Sequence, residues 1–270
     1  MLTDPARRSC AVLGSPIAHS LSPVMHRRAY AELGLDWTYD AIEVTEAELA
    51  EFLDGLDGSW RGLSLTMPLK RVAVDLVDEV SDAVRSVSAL NTIVLDGGRR
   101  LGDNTDIPGM VSALEERGVR EVRTATVVGA GATAASALAA LQSAGLESVS
   151  LLVREPARAD ELARLVRGWG VEVAIGRLDE PVPGADLLVS TVPSAAVGTY
   201  ARTWCERSGA VFDVIYDPWP TALASAAREA GRPVVSGLDL LAHQAALQVA
   251  LMTGATVDAA ALREAAISAV

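Results

Sequence analysis

Along the second half of the chain, apolar residues cluster in short runs at 124–128, 148–153, 171–175, 186–190, 210–215 and 233–235. Longer stretches with helical spacing lie between them, at 133–144, 157–168, 197–206 and 221–230. Continuous apolar strands separated by helices predict a parallel sheet covered on both faces, because a strand with one wet face alternates instead. The first hundred residues alternate less evenly. Segments 9–13, 38–44 and 62–66 read as strands, and 23–33 as a helix capped by Ser22 with Pro23 at its first position. A second helix is predicted at 68–77. Thr45 and Glu48 have capping-box spacing for a helix ending near Leu56, and Asp96-Gly97-Gly98 separates 91–95 from 100–101 as a hairpin turn. Past Gly237 the pattern is helical, over 243–253 and 258–269.

Residues 124–146 carry no charge, a length that suits a membrane span. Gly129-Ala130-Gly131 divides the segment into a five-residue strand, a tight turn and an Ala-rich helix, which a water-soluble fold explains better. With 270 residues, 50% hydrophobic and 21% charged, the chain has material for one large domain or two smaller ones and lacks the signature of disorder. A net charge of −12 argues against nucleic acid or an anionic membrane as partner, since both require clustered Lys and Arg. Cys10 and Cys205 make neither a disulfide framework nor a zinc spacing, so no metal is expected. No secretory leader is evident, and the chain reads as cytoplasmic. Its basic residues are distinctive: 22 of 23 are arginine, and Lys70 is the sole lysine. Asparagine occurs only as Asn91 and Asn104, each followed by threonine. In a composition so biased, a surviving lysine is a candidate for chemistry that arginine, which holds its proton, does not perform.

Gly129, Ala130, Gly131, Ala132, Thr133 and Ala134 follow a strand and open a helix in the pattern G-x-G-x-x-A. The first glycine permits a tight turn, the second lets the backbone approach a diphosphate, and the third small residue packs helix on strand. At the end of the next strand stand Arg154 and, four residues on, Arg158; both favour the 2′-phosphate of NADP, whereas Glu155 keeps an NAD ribose contact open. Three further constellations lie at predicted loop edges. They are Gly14-Ser15-Pro16-Ile17-Ala18-His19-Ser20-Leu21-Ser22-Pro23, then Ser64-Leu65-Thr66-Met67-Pro68-Leu69-Lys70, and Asn91-Thr92 with Gly102-Asp103-Asn104-Thr105-Asp106.

These ordered motifs, with Gly237-Leu238-Asp239-Leu240-Leu241-Ala242-His243-Gln244, resemble the shikimate dehydrogenase family over essentially the whole chain. The resemblance implies a two-domain α/β enzyme. An α/β substrate domain, 1–106, would be completed by C-terminal helices 238–270. A Rossmann-like doubly wound parallel-sheet NADP domain, 107–237, would be inserted between. It further implies Lys70 and Asp106 as the catalytic pair, Ser20 and Ser22 on the shikimate carboxylate, and Thr66, Asn91, Tyr216 and Gln244 around the ring hydroxyls. Gly129–Ala134, Arg154, Arg158, Thr191, Val214 and Gly237 fall to NADP. The implied reaction is reduction of 3-dehydroshikimate to shikimate by a monomer or homodimer. Hydride transfer is the cofactor's chemistry, and the protein contributes orientation and proton transfer.

The chain departs from the family pattern in places. Ser64 stands where many relatives have Asn, Val153 and Glu155 flank Arg154 where Asn and Thr are usual, Ser190-Thr191-Val192-Pro193 replaces an Asn-Ala-Thr-Ser type segment, and Ile107-Pro108 follows Asp106 where Gly is common. Two other readings stay open: an NAD-dependent quinate/shikimate dehydrogenase, and a non-catalytic dinucleotide-binding regulatory protein.

Overall fold

The computed structural model describes residues 7–269. The chain divides into two compact units, one running to Gly109 and resuming at Leu241, the other spanning Met110–Leu240. Among the described residues, no helix is long and apolar enough to cross a membrane.

In the first unit the elements run β1 (Ser9–Gly14), α1 (Ser22–Glu32), β2 (Thr38–Glu43), α2 (Leu49–Asp54), β3 (Trp60–Leu65), β4 (Glu79–Val80), α3 (Asp82–Val87), β5 (Thr92–Asp96) and β6 (Arg99–Asp103). They form a six-stranded sheet in the order β2-β1-β3-β5-β6-β4. Strands β1, β2 and β3 are parallel, whereas β5 is antiparallel to both β3 and β6. The β5–β6 connection is the expected glycine turn, with Gly97 and Gly98 at φ 57° and 80°. Ala11, Leu13, Leu63, Leu65 and Ile93 alternate onto one face of the sheet and pack against Leu49 and Leu53 of α2 and Val84 of α3. Each such fully buried leucine is worth roughly 1.5–3 kcal/mol.

Three expectations for this unit need correction. Ser22 does not cap α1: the cap position falls on Leu21, and Ser22 lies inside the helix with its N–H donating to Ser20 Oγ at 3.3 Å. Glu48 does reach back to the Thr45 N–H at 2.9 Å, but α2 begins only at Leu49. The helix predicted at 68–77 reduces to a turn and a 3₁₀ segment, Val72–Leu76. Its ladder is diverted because the Lys70 carbonyl accepts from the Leu90 N–H at 2.8 Å instead of from its own helix. Helix α3, capped by Ser81, and α4 (Asp106–Glu116) are additional to the elements the sequence pattern predicts. The cap of α4 is Asn104, whose Oδ1 accepts from the N–H groups of Asp106 and Ile107 at 3.1 and 3.3 Å.

The second unit holds β7 (Thr124–Val128), α5 (Ala132–Ser143), β8 (Ser148–Val153), α6 (Asp160–Gly168), β9 (Glu172–Arg177), β10 (Ala185–Ser190), α7 (Ala201–Glu206), β11 (Ser208–Asp213), α8 (Ala222–Glu229) and β12 (Val234–Ser236). All six strands are parallel, in the order β12-β11-β10-β7-β8-β9. This is the doubly wound arrangement, with its reversal of strand order beside β7. Val128, Leu188 and Val211 pack against Val197, Ala201, Trp204, Leu223 and Ala227. Strand β11 stops two residues short of expectation because the Asp213 carboxylate turns back, accepting from the Ile215 N–H and, at 2.6 Å, from Thr221 Oγ1. Helix α7 also starts later than its pattern suggests, after a 3₁₀ turn at Ser194–Ala196. Two further helices complete the chain, α9 (Gly237–Thr253) and α10 (Ala259–Ile267).

Gly237 marks the tightest backbone approach in the second unit. A Cβ there would lie 2.1 Å from the Val214 carbonyl oxygen, a rigid neighbour that a rotamer change does not relieve. Gly237→Ala is therefore expected to lower unfolding free energy by about 2 kcal/mol or more in urea titrations, whatever ligand is present.

Candidate active site

The sheet of the first unit gathers its polar residues at one end. Because β1 and β3 are parallel, with Leu13 beside Leu65, their following loops leave side by side. They are bonded together, the Ser15 N–H donating to the Met67 carbonyl at 3.0 Å and the Thr66 N–H to the Leu13 carbonyl at 2.9 Å. Gly14 allows this proximity, since a Cβ there would fall 2.4 Å from Thr66 Cγ2 and 2.9 Å from the Met67 carbonyl. The antiparallel β5 begins where β3 ends, Ser64 pairing with Thr92, and β6 ends there as Asp103 pairs with Thr92. Lys70, Asn91 and Asp106 thus come together from three separate sequence motifs.

Lys70 Nζ donates to Asp106 Oδ2 at 2.6 Å, with side-chain exposures of 13% and 1%. Asn91 Nδ2 donates to the other carboxylate oxygen at 2.9 Å and to Gln244 Oε1 at 3.0 Å. The carboxylate lies in the first turn of α4, where the helix dipole favours negative charge. A buried carboxylate so compensated keeps a lysine amine in one place at the rim of the site, which suits proton exchange with a bound hydroxyl or carbonyl. Ser20 and Ser22 lie in and just after the β1 loop, Ser20 half-buried and Ser22 buried, while Thr66 is half-buried at the end of β3.

In the second unit, a cleft of about 710 Å³ is lined by Gly129, Ala130, Gly131, Arg154, Arg158 and Val192, among others. Gly129 has φ +108°, and a Cβ there would meet Thr191 Oγ1 at 2.4 Å, so both conformation and packing demand glycine. Thr191 is held in turn by its hydroxyl bond to the Val128 carbonyl at 2.8 Å. Gly131 differs: its φ is −84°, and a Cβ would touch no protein atom within 4 Å. Nothing in the chain requires glycine there. It opens helix α5 with no side-chain cap, leaving backbone donors at a helix start with clear space before them, as a diphosphate requires. Ala134 is fully buried, in keeping with close helix packing. Arg154 and Arg158 are exposed on the cleft wall, and Arg158 Nε lies 3.3 Å from Glu155 Oε2.

The remaining cofactor candidates contribute differently. Val214 follows β11, its N–H donating to the Ser190 carbonyl at 3.1 Å, and it closes against Gly237 as described above. Tyr216 also belongs to this unit, and burial raises its phenol pKa above the ordinary value, with the Asp217 charge adding to the effect.

Family models match two stretches: the shikimate dehydrogenase substrate binding domain at residues 12–93, and the shikimate 5′-dehydrogenase C-terminal domain at 237–267. A shikimate dehydrogenase (NADP(+)) of Methylobacterium radiotolerans is 37% identical over 245 residues, covering 87% of each chain. The chain belongs to the shikimate dehydrogenase family. Among solved structures, Mycobacterium tuberculosis shikimate dehydrogenase superposes with a TM-score of 0.88 at 37% identity, over 97% of this chain and 99% of that one. The Thermus thermophilus enzyme, solved in complex with NADP(H) and shikimate, gives 0.85 at 35%, over 97% and 100%. The fold class and family expected from the motifs are borne out.

One residue beside the family motifs, Gln248, is not included in any of them. Gln248 lies one turn beyond Gln244 on α9, and Thr92 and Thr105 flank Asn91. The Gln-x-x-x-Gln spacing, which puts both amides on one helix face, was the available signal. Behind them, His26 is fully buried, stacked on Tyr39 at 3.9 Å and within 3.2 Å of Gln248 Oε1. Burial pushes its pKa down to about 3, the bond to Gln248 opposing this only in part. The unfolded chain thus binds this proton more readily between pH 6.5 and 3, so the stabilising contribution is complete above pH 6.5 and is lost as pH falls. Between pH 7 and pH 5 His26 alone should remove about 2 kcal/mol of unfolding free energy. His26→Phe, which keeps the ring stack, should show a correspondingly flatter dependence in denaturant titrations.

Proposed function

We propose that this chain catalyses the reversible NADP-dependent reduction of 3-dehydroshikimate to shikimate. The observation that carries the reading is the pair of Lys70 with the buried Asp106, 2.6 Å apart and joined to Asn91 and Gln244, in a member of this family. Ser20 and Ser22 hold the substrate carboxylate, and Thr66, Asn91, Gln244 and Tyr216 hold its ring hydroxyls. When bound, NADPH supplies the hydride that reaches the carbonyl carbon. Lys70 gives a proton to the carbonyl oxygen as it becomes a hydroxyl and takes it back in the reverse direction. Asp106 orients the amine and the reacting oxygen without leaving its place at the start of α4. Gly129–Ala134 take the diphosphate, and Arg154 with Arg158 the 2′-phosphate. Thr191, Val214 and Gly237 shape the backbone on the cofactor side. A cytoplasmic enzyme, monomeric or homodimeric and without nucleic-acid or membrane partner, accords with the net charge of −12.

One observation favours a second reading, use of NAD: Glu155 stands beside Arg158 and offers a carboxylate of the kind that binds a ribose 2′-hydroxyl. Arg154→Ala distinguishes the two. Loss of a charge-assisted bond to a 2′-phosphate should raise KM for NADP about tenfold or more and leave NAD kinetics nearly unchanged. Equal losses with both cofactors, or a wild-type preference for NAD, overturn the NADP assignment.

Lys70→Arg keeps the charge and the approximate length of the side chain. Because arginine does not release its proton near neutrality, kcat should fall by at least about a hundredfold with NADP affinity little changed. Retention of more than about a tenth of wild-type kcat would exclude proton transfer by Lys70.

A further inference from the structure

Gln248 is 2% exposed and lies behind the residues assigned to substrate. A backbone carbonyl can only accept, so the side-chain atom 3.2 Å from the Asn91 carbonyl must be the amide nitrogen, Nε2. This turns Oε1 to the opposite side, where it accepts from Ser64 Oγ at 2.9 Å and from His26 Nε2 at 3.2 Å. Ser64 Oγ itself accepts from the Tyr39 hydroxyl at 2.5 Å. Nε2 also donates to Thr92 Oγ1 at 3.0 Å, so the Thr92 proton is directed to its remaining acceptor, Asn91 Oδ1, at 2.9 Å. Asn91 Oδ1 receives the Thr105 N–H as well, at 2.8 Å, which leaves Nδ2 to face Asp106, Gln244 and Thr105 Oγ1.

The hydrogen bonds thus form a one-way chain, from Tyr39 through Ser64, Gln248, Thr92 and Asn91 to Asp106. We infer that Gln248 is a positioning residue for the reaction, setting the direction of the Thr92 hydroxyl and through it the orientation of the Asn91 amide. The inference deepens the dehydrogenase reading and rests on it. An amide can turn over with little steric cost because its oxygen and nitrogen are nearly the same size. Turned over, Asn91 would present oxygen to the Asp106 carboxylate and to Gln244 Oε1, both acceptors, and the site would lose the donor that holds Asp106 Oδ1. Each proton delivered to Asn91 Oδ1 opposes that turn. Gln248 therefore acts on substrate without touching it.

Thr92→Val removes the hydroxyl at nearly constant shape, Thr92→Ser restores it, and Gln248→Leu removes the donor that orients it. In steady-state oxidation of shikimate, Thr92→Val and Gln248→Leu should each lower kcat/KM for shikimate by about five- to tenfold, with KM for NADP within about twofold of wild type. Thr92→Ser should recover most of the loss. Because the two side chains act in series, Gln248→Leu in the Thr92→Val background should lower kcat/KM by less than about twofold more. Unchanged shikimate kinetics in the folded variants, losses that multiply in the double variant, or no recovery with serine would each overturn the inference. If Gln248→Leu does not fold, the valine and serine variants of Thr92 decide alone. A wild-type protein that does not turn over shikimate overturns the dehydrogenase reading, whereas wild-type turnover with insensitive variants overturns only the role of Gln248.

Discussion

An ionised carboxylate withdrawn from water is the constraint around which the first unit is built. Asp106 exposes 1% of its side chain, and an isolated charge so placed would cost several kcal/mol. Three features offset that cost: the Lys70 ammonium, the Asn91 amide and the start of α4. They arise from the loop after β3, the residue before β5 and the turn after β6, and only the mixed strand order β1-β3-β5-β6 brings those points to one sheet end. The antiparallel insertion of β5 is decisive, since it puts the beginning of one strand beside the ends of its neighbours.

The second unit obeys a different constraint, imposed by backbone geometry instead of charge. Gly129 must take a positive φ against Thr191, and Gly237 must admit the Val214 carbonyl. Both glycines are explained by the chain itself. Gly131 is explained by neither conformation nor packing, and the space its missing Cβ leaves lies at an uncapped helix start. This contrast within one motif supports a diphosphate more strongly than the G-x-G-x-x-A pattern does, because the pattern alone does not separate a tight turn from a binding site.

How far the fold was legible in the sequence differs between the units for a physical reason. In the parallel sheet, strands are buried on both faces, so β7 and β8 stand out as apolar runs with their observed ends. In the first unit, local signals compete with tertiary bonds. Pro68 and the residues after it have the pattern of a helix, but Leu90 captures the Lys70 carbonyl and the helix contracts to 3₁₀ geometry. Helix α4 is hidden for the converse reason: Asn104 has the sequence setting of a loop residue, and its capping bonds to Asp106 and Ile107 become evident only in three dimensions. The motif residues of the site were visible because their chemistry is unusual in this composition. Gln248 is marked only by its four-residue spacing from Gln244, which does not reveal its role until its partners are seen.

That composition gains its meaning at Asp106. The sole lysine and both asparagines of the chain all bond to this one residue. Lys70 and Asn91 reach its two carboxylate oxygens, and Asn104 accepts its backbone N–H. None has an adequate substitute among the residues the chain otherwise prefers. An arginine at 70 would not release a proton, and an aspartate at 91 would set carboxylate against carboxylate. An aspartate at 104 could still cap α4, but it would lack the donor that Asn104 Nδ2 directs to the buried Ala89 carbonyl at 2.9 Å. On the proposed reaction, a bias that has excluded lysine and asparagine elsewhere stops at the three positions where the protonation or the two-sided hydrogen bonding of those side chains has no replacement. The rarity of a residue type therefore located this site by the same physics that holds it together.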